Sequence, residues 1–133
     1  MPDNVPTGRF YKLLRFGLLG IALSILAFSS VRSASSAEAV FQMRSLYKYK
    51  VQITFFSQDR NHEWPGGDSS YNLHDSKIHS FKLSCQRGEK ICYGAWDSGD
   101  DDTYWGTGPE NDESCDDCCL VCGSGQVKKI DLE

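Results

Sequence analysis

Ser80-Phe-Lys-Leu-Ser-Cys85-Gln-Arg-Gly88-Glu-Lys-Ile-Cys92-Tyr-Gly-Ala-Trp96 is the stretch on which the fold turns. Its two halves are strand-like and meet at a glycine, the pattern of a β-hairpin. With Gly88-Glu89 as the central pair of a type II′ turn, which favours glycine first, Gln86 faces Ile91, Cys85 faces Cys92, Leu83 faces Gly94 and Phe81 faces Trp96. The apolar pairs then share one face, so turn chemistry and hydrophobic pattern agree. Only Arg87 opposite Lys90 opposes that register. It predicts a Cys85–Cys92 disulfide, because directly opposed antiparallel neighbours lie within bridging distance, and it assigns Trp96 to the core.

Upstream, Tyr47, Tyr49, Val51, Ile53 and Phe55 alternate with Lys48, Lys50, Gln52 and Thr54, the period of a half-buried strand. The stretch from Ser57 to Ser70 has the Gly, Pro, Asn and Asp content of a connection, with Pro65-Gly66 as its turn, and Tyr71 to Leu73 can add a short strand. Downstream, Thr103 to Gly106 reads as one short strand inside an acidic loop spanning residues 97–117. Residues 126–132 form a closing edge strand, where Lys128 and Lys129 discourage association. No helical periodicity of useful length follows residue 40. The expected fold is all-β, a small antiparallel sandwich or open barrel of five or six short strands, after an N-terminal signal helix.

The leader reading rests on Arg9, Lys12 and Arg15 ahead of the apolar run from Phe16 to Phe28, which is too short for a membrane-spanning helix. Ala37-Glu38-Ala39 fits a small-x-small cleavage site, with a cut after Ala37 as the alternative and an uncleaved anchor as the structural one. The expected division is a signal peptide at 1–39 and a disulfide-stabilised β domain at 40–133. The whole chain carries 14 basic and 18 acidic residues. The part after residue 39 carries 10 and 16, a balance unfavourable to nucleic acid and, once the signal is removed, to anionic membranes.

All six cysteines, Cys85, Cys92, Cys115, Cys118, Cys119 and Cys122, lie beyond the leader. An even count in a short exported chain is the pattern of a disulfide framework, and with Cys85 and Cys92 joined the four tail cysteines pair among themselves. Cys115-Asp-Asp-Cys-Cys-Leu-Val-Cys122 sets two CxxC units back to back, so metal ligation is the alternative. Zinc ribbons, however, separate such units by roughly 15 to 20 residues. A redox CxxC belongs at a helix N-terminus, for which this sequence offers no setting.

Three further features are candidate sites. Nine carboxylates fall between Asp97 and Asp117, and Asp97, Asp100 and Asp102 are candidate calcium ligands, although the order needed for an EF-hand is missing. Trp64, Tyr104 and Trp105 are a candidate ligand platform, since aromatic rings flanked by acids and amides suit sugar faces. His62, His74 and His79 are scattered, and no nucleophile elbow or catalytic-cysteine context accompanies them.

Trp64-Pro-Gly-Gly, Ser80 to Cys85, Gly88-Glu-Lys-Ile-Cys-Tyr-Gly-Ala-Trp96, Trp105-Gly-Thr-Gly108 and the CxxCCxxC resemble a small group of exported bacterial proteins without an assigned activity, over residues 51–132. The resemblance implies a bacterial extracytoplasmic location, in the periplasm or secreted, and no catalytic residue. The expected function is that of a binding or interaction module, with carbohydrate or protein as ligand, no cofactor and no enzymatic activity; the alternative is a metal-binding protein using the cysteine cluster at 115–122, with or without the acidic loop.

Overall fold

The computed structural model describes residues 36–133, so the signal helix expected near the N-terminus lies outside the described residues. Nine strands follow in order: β1 (Ser36–Ser45), β2 (Val51–Ser57), β3 (Glu63–Trp64), β4 (Tyr71–Leu73), β5 (His79–Gln86), β6 (Lys90–Asp97), β7 (Asp100–Gly106), β8 (Cys119–Val121) and β9 (Val127–Leu132). They form a small sheet, β5-β1-β9, and a large one, β3-β2-β6-β7, in which β4 also pairs with β2 and β8 with β6. The architecture is an all-β sandwich rather than a barrel, and no helix occurs among the described residues. It holds more strands than the five or six expected. It is also not wholly antiparallel, because β1 and β9 run parallel, Val40 facing Val127 through to Ser45 facing Leu132.

β1 exists because Ala39, Phe41 and Met43 alternate with outward-facing Val40, Gln42 and Arg44, which gives one apolar edge at period two. The leader expected at 1–39 takes in the first four residues of this strand. Ala39 is 2% exposed, and Ser36 to Met43 are laddered to Gln86 through His79 of β5. Residues 36–39, ahead of the expected boundary at residue 40, are thus part of β1. Phe41 meets Phe55 of β2 with ring centroids 4.7 Å apart, and Phe55 also packs against Phe81 at 5.3 Å, closing the core between the sheets. Val51, Ile53 and Phe55 point inward as their alternation requires. Tyr47 and Tyr49 precede β2 instead of belonging to it, and Tyr49 is exposed.

The hairpin between β5 and β6 is absent. Both edges of β6 are occupied, one by β2 and the other by β8 and then β7, while β5 pairs with β1 in the other sheet. The Glu89 amide donates to the Gln86 carbonyl at 2.9 Å and Gly88 has φ +87°, so the central pair is Arg87-Gly88. Glycine stands second, as a type II turn demands. The turn is a corner that carries the chain from one sheet to the other. In β6, Ile91, Tyr93 and Ala95 face the same side as Ile53 and Phe55, toward the core. Cys92, Gly94 and Trp96 consequently face outward, one residue out of phase with the hairpin register.

The disulfides follow this corner. Cys85 bonds Cys122 and Cys92 bonds Cys119, while Cys115 bonds Cys118. The expected Cys85–Cys92 bridge and the self-contained tail are both overturned, because Cys85 lies on the core face of one sheet and Cys92 on the outer face of the other. The tail instead enters the corner: Gly88 donates to the Cys122 carbonyl at 2.9 Å, Cys122 donates to the Glu89 carbonyl at 2.8 Å, and Cys119 stands opposite Cys92 across the β6–β8 ladder.

Glu89, 4% exposed, holds the corner from inside. Burial alone would raise its carboxyl, but hydrogen bonds from Arg60, Ser57 and the Gln86 amide, together with the Arg60 charge, outweigh it and leave a pKa of about 2. The Arg60 contacts are 2.5 and 3.3 Å and the Gln86 amide lies at 2.8 Å.

Three outcomes follow. If a leader is removed, intact mass of the mature protein will place its first residue at or before Ser36; a start at Val40 would mean that four β1 residues are dispensable. Non-reduced peptide mapping will recover Cys85–Cys122 and Cys92–Cys119 links. Since these close loops with separations of 37 and 27 residues, removing either costs about 3 to 4 kcal/mol in the chain-entropy account. The carboxyl of Glu89 is depressed on folding, so its stabilisation is complete above the unfolded value and is lost as pH falls from about 4.5 toward 2. Urea titrations at several pH values should show the wild type losing on the order of 3 kcal/mol more than Glu89→Gln over that window; parallel curves would refute the assignment.

Candidate functional site

The outer face of the large sheet is built from the even-numbered residues of β2 and β6, namely Gln52, Thr54, Phe56, Cys92, Gly94 and Trp96. Gly94 lies opposite Gly106. A Cβ on Gly94 would collide with the Gly108 carbonyl oxygen, and Gly106 has φ +65° with the Tyr93 carbonyl where a side chain would stand. These two glycines let the chain after β7 fold back onto the sheet. There the Thr107 amide and hydroxyl both donate to the Tyr93 carbonyl, at 2.9 and 3.2 Å, and the Glu113 amide donates to the Thr107 carbonyl at 3.2 Å.

This return places Pro109 and Glu110 as one wall of a groove of about 320 Å³. The turn after β3 supplies the other wall, with Asp68, Ser69 and Ser70, and Glu63 lies at the same side. Gly66, Gly67 and Asp68 all have positive φ, and the Ser69 amide closes the turn on the Gly66 carbonyl at 3.3 Å. The floor is Trp96, half-buried, with Phe56 and Thr54 beneath. The indole Nε1 donates to Gln52 Oε1 at 3.1 Å, and Gln52 Nε2 donates to Ser70 Oγ at 2.9 Å. One amide side chain thus fixes the ring and ties floor to wall. Among the described residues Glu63, Asp68 and Glu110 form no ion pair, so the groove presents an aromatic face rimmed by carboxylates and hydroxyls.

The candidate platform of Trp64, Tyr104 and Trp105 is not assembled. Tyr104 and Trp105 are consecutive in β7 and must face opposite sides. Trp105, opposite Ala95, points to the core side, where its ring meets Tyr47 edge-on at 5.1 Å and its Nε1 donates to the Glu133 carbonyl at 2.9 Å. Trp64, opposite Phe55 at the other edge of the sheet, is 9% exposed and donates to the Ser84 carbonyl of β5 at 3.1 Å. Both indoles bolt the sandwich together. Tyr104 shares the outer face with Trp96 but stands outside the groove, where a hydrogen bond from its hydroxyl to Glu113 and that residue's charge hold the phenol above its ordinary pKa. Trp96, the aromatic residue at the groove floor, was assigned to the core by the hairpin register. The signal available was the unbroken apolar run from Ile91 to Trp96, which marks a strand covered on both faces.

The acidic stretch is largely ordered by its own carboxylates. Asp97, 6% exposed, accepts from Tyr47 Oη at 3.0 Å and the Gly99 amide at 2.8 Å; burial and then this contact push the Tyr47 phenol up. Asp100 accepts from the Asp102 amide and Thr103 Oγ1 at 3.1 and 2.9 Å. These are turn-forming contacts at the β6–β7 connection, and Asp97, Asp100 and Asp102 do not converge as the calcium reading required. Among the described residues the one set of three potential metal ligands with ligand atoms within 4.8 Å of one another is Cys92, Cys118 and Cys119. The three histidines do not join it, and His79 instead contacts Asp75 at 2.7 Å.

Compared with known protein families, curated proteins and solved structures, the chain matches none.

Proposed function

We propose that this domain is an exported binding module, and that the groove floored by Trp96 is its ligand site. The observation that carries the reading is an indole held in place by Gln52 within a concave, hydroxyl- and carboxylate-rimmed surface. An aromatic face provides an apolar contact for the C–H side of a sugar ring, while Ser69, Ser70 and the carboxylates offer hydrogen bonds to its hydroxyls. The acidic rim disfavours uronic acids and sulfated glycans, so the ligand class is a neutral or amino-substituted saccharide. Three disulfides support an extracytoplasmic setting, since such bonds persist where the surroundings are oxidising. The leader-like run upstream and the resemblance to exported bacterial proteins agree with it, and no helix among the described residues is long and apolar enough to cross a membrane.

A panel of neutral, amino and acidic oligosaccharides, followed by tryptophan fluorescence or calorimetry, tests this. Neutral or amino sugars should bind, with Trp96→Ala lowering affinity about tenfold or more, equivalent to roughly 1.4 kcal/mol. Tyr104→Ala should leave it nearly unchanged. Binding confined to acidic glycans, or equal affinity in Trp96→Ala, would remove the groove from consideration.

A further inference from the structure

Where β8 meets β6, four sulfurs gather on the outer face beside the corner. Cys92 and Cys119 are cross-strand partners, Cys118 precedes Cys119, and Cys118 Sγ lies 3.5 Å from Cys119 Sγ although the two belong to different disulfides. Cys92 and Cys118 are each 2% exposed, while Cys119 and Cys115 are half-buried. The third sulfur beside the neighbouring Cys118 and Cys119 comes from Cys92 of another strand.

We propose that reduction of the Cys92–Cys119 and Cys115–Cys118 bridges converts this cluster into a three-thiolate site for a soft d10 metal ion, with Cys92, Cys118 and Cys119 as the ligands. Each bridge takes two electrons and two protons from one dithiol, which is left as its own disulfide, and four protein thiols result. A divalent ion then displaces three thiol protons as it binds. Two thiolates bound to one zinc-like ion at about 2.3 Å stand about 3.8 to 4.0 Å apart in tetrahedral or trigonal geometry. The three sulfurs lie within 4.8 Å of one another; once the Cys92–Cys119 bond is open, side-chain rotation separates that pair to thiolate spacing. Cys115 lies outside this set and is the half-exposed sulfur at which an incoming thiolate can attack. Cys85–Cys122, with both cysteines at most 5% exposed, stays closed and keeps the tail against the corner. Asp116 and Asp117 flank the cysteines in the chain and Lys128 is paired with Asp117, while Lys90 stands two residues before Cys92 on the same strand.

Cadmium titration of the folded protein tests the site, with the ultraviolet thiolate-to-metal charge-transfer band as readout and proton release measured in parallel. The protein is first treated with a phosphine until four thiols are titratable. One equivalent of cadmium should then saturate the band and release about three protons. Cys92→Ser, Cys118→Ser and Cys119→Ser should each weaken binding roughly 100-fold, with Cys115→Ser within about threefold of the parent. Circular dichroism of every reduced variant confirms that the sandwich persists, and if a serine variant unfolds, the corresponding alanine variant replaces it. Absence of the band in the reduced folded parent would overturn the proposal. So would loss of binding in Cys115→Ser with retention in Cys92→Ser, which would place the ion in the tail alone. Equal binding by the fully oxidised protein would overturn the gating by reduction.

Discussion

Glu89 sits where the chain leaves one sheet for the other, and its buried carboxylate is satisfied by Arg60 and by the amide of Gln86. A carboxylate removed from water is costly unless every oxygen is engaged. The corner therefore has one arrangement in which the loop after β2, the end of β5 and the start of β6 come together around it. Asp59 reinforces the same junction by accepting from the Lys90 amide at 2.6 Å. This junction sets the phase of β6. The phase in turn determines that Ile91, Tyr93 and Ala95 face the small sheet and that Cys92, Gly94 and Trp96 face the opposite side.

Both candidate sites are consequences of that phase. With Trp96 outward, the ring needs an anchor and finds it in Gln52 on the neighbouring strand; with Gly94 outward, the chain after β7 can settle against the sheet and raise a wall beside the ring. With Cys92 outward, the tail must approach from outside, and β8 pairs along the first half of the β6 edge that β7 occupies further on. The groove and the sulfur cluster are thus successive segments of one strand face, separated by the glycine on which Thr107 and Gly108 rest.

The cysteines divide the labour of holding a small domain together. Cys85–Cys122 joins the small sheet to the tail, and Cys92–Cys119 joins the tail to the large sheet, so the tail links the two layers covalently at the corner. A body of fewer than 100 residues buries too little surface to rely on its core alone. The expected hairpin bridge would have closed a short loop within one unit and left the layers joined by packing only.

The all-β class was legible in the residues: the inward Val51, Ile53 and Phe55 of β2, the inward Leu83 and Cys85 of β5, the closing strand with its two lysines, and six cysteines suited to disulfides. Local pattern determines these because side-chain alternation and turn chemistry act over a few residues. β1 was hidden by its nearness to a leader-like run, though Ala39, Phe41 and Met43 carry the same alternation. The phase of β6, and with it the outward Trp96 and the Cys92–Cys119 pairing, could not be read locally, since Ile91 to Trp96 is apolar on both faces and fits either register. Only the tertiary structure decided it, because a strand buried on both sides takes its orientation from which neighbours claim its edges, and those neighbours, β2, β7 and β8, come from distant parts of the chain.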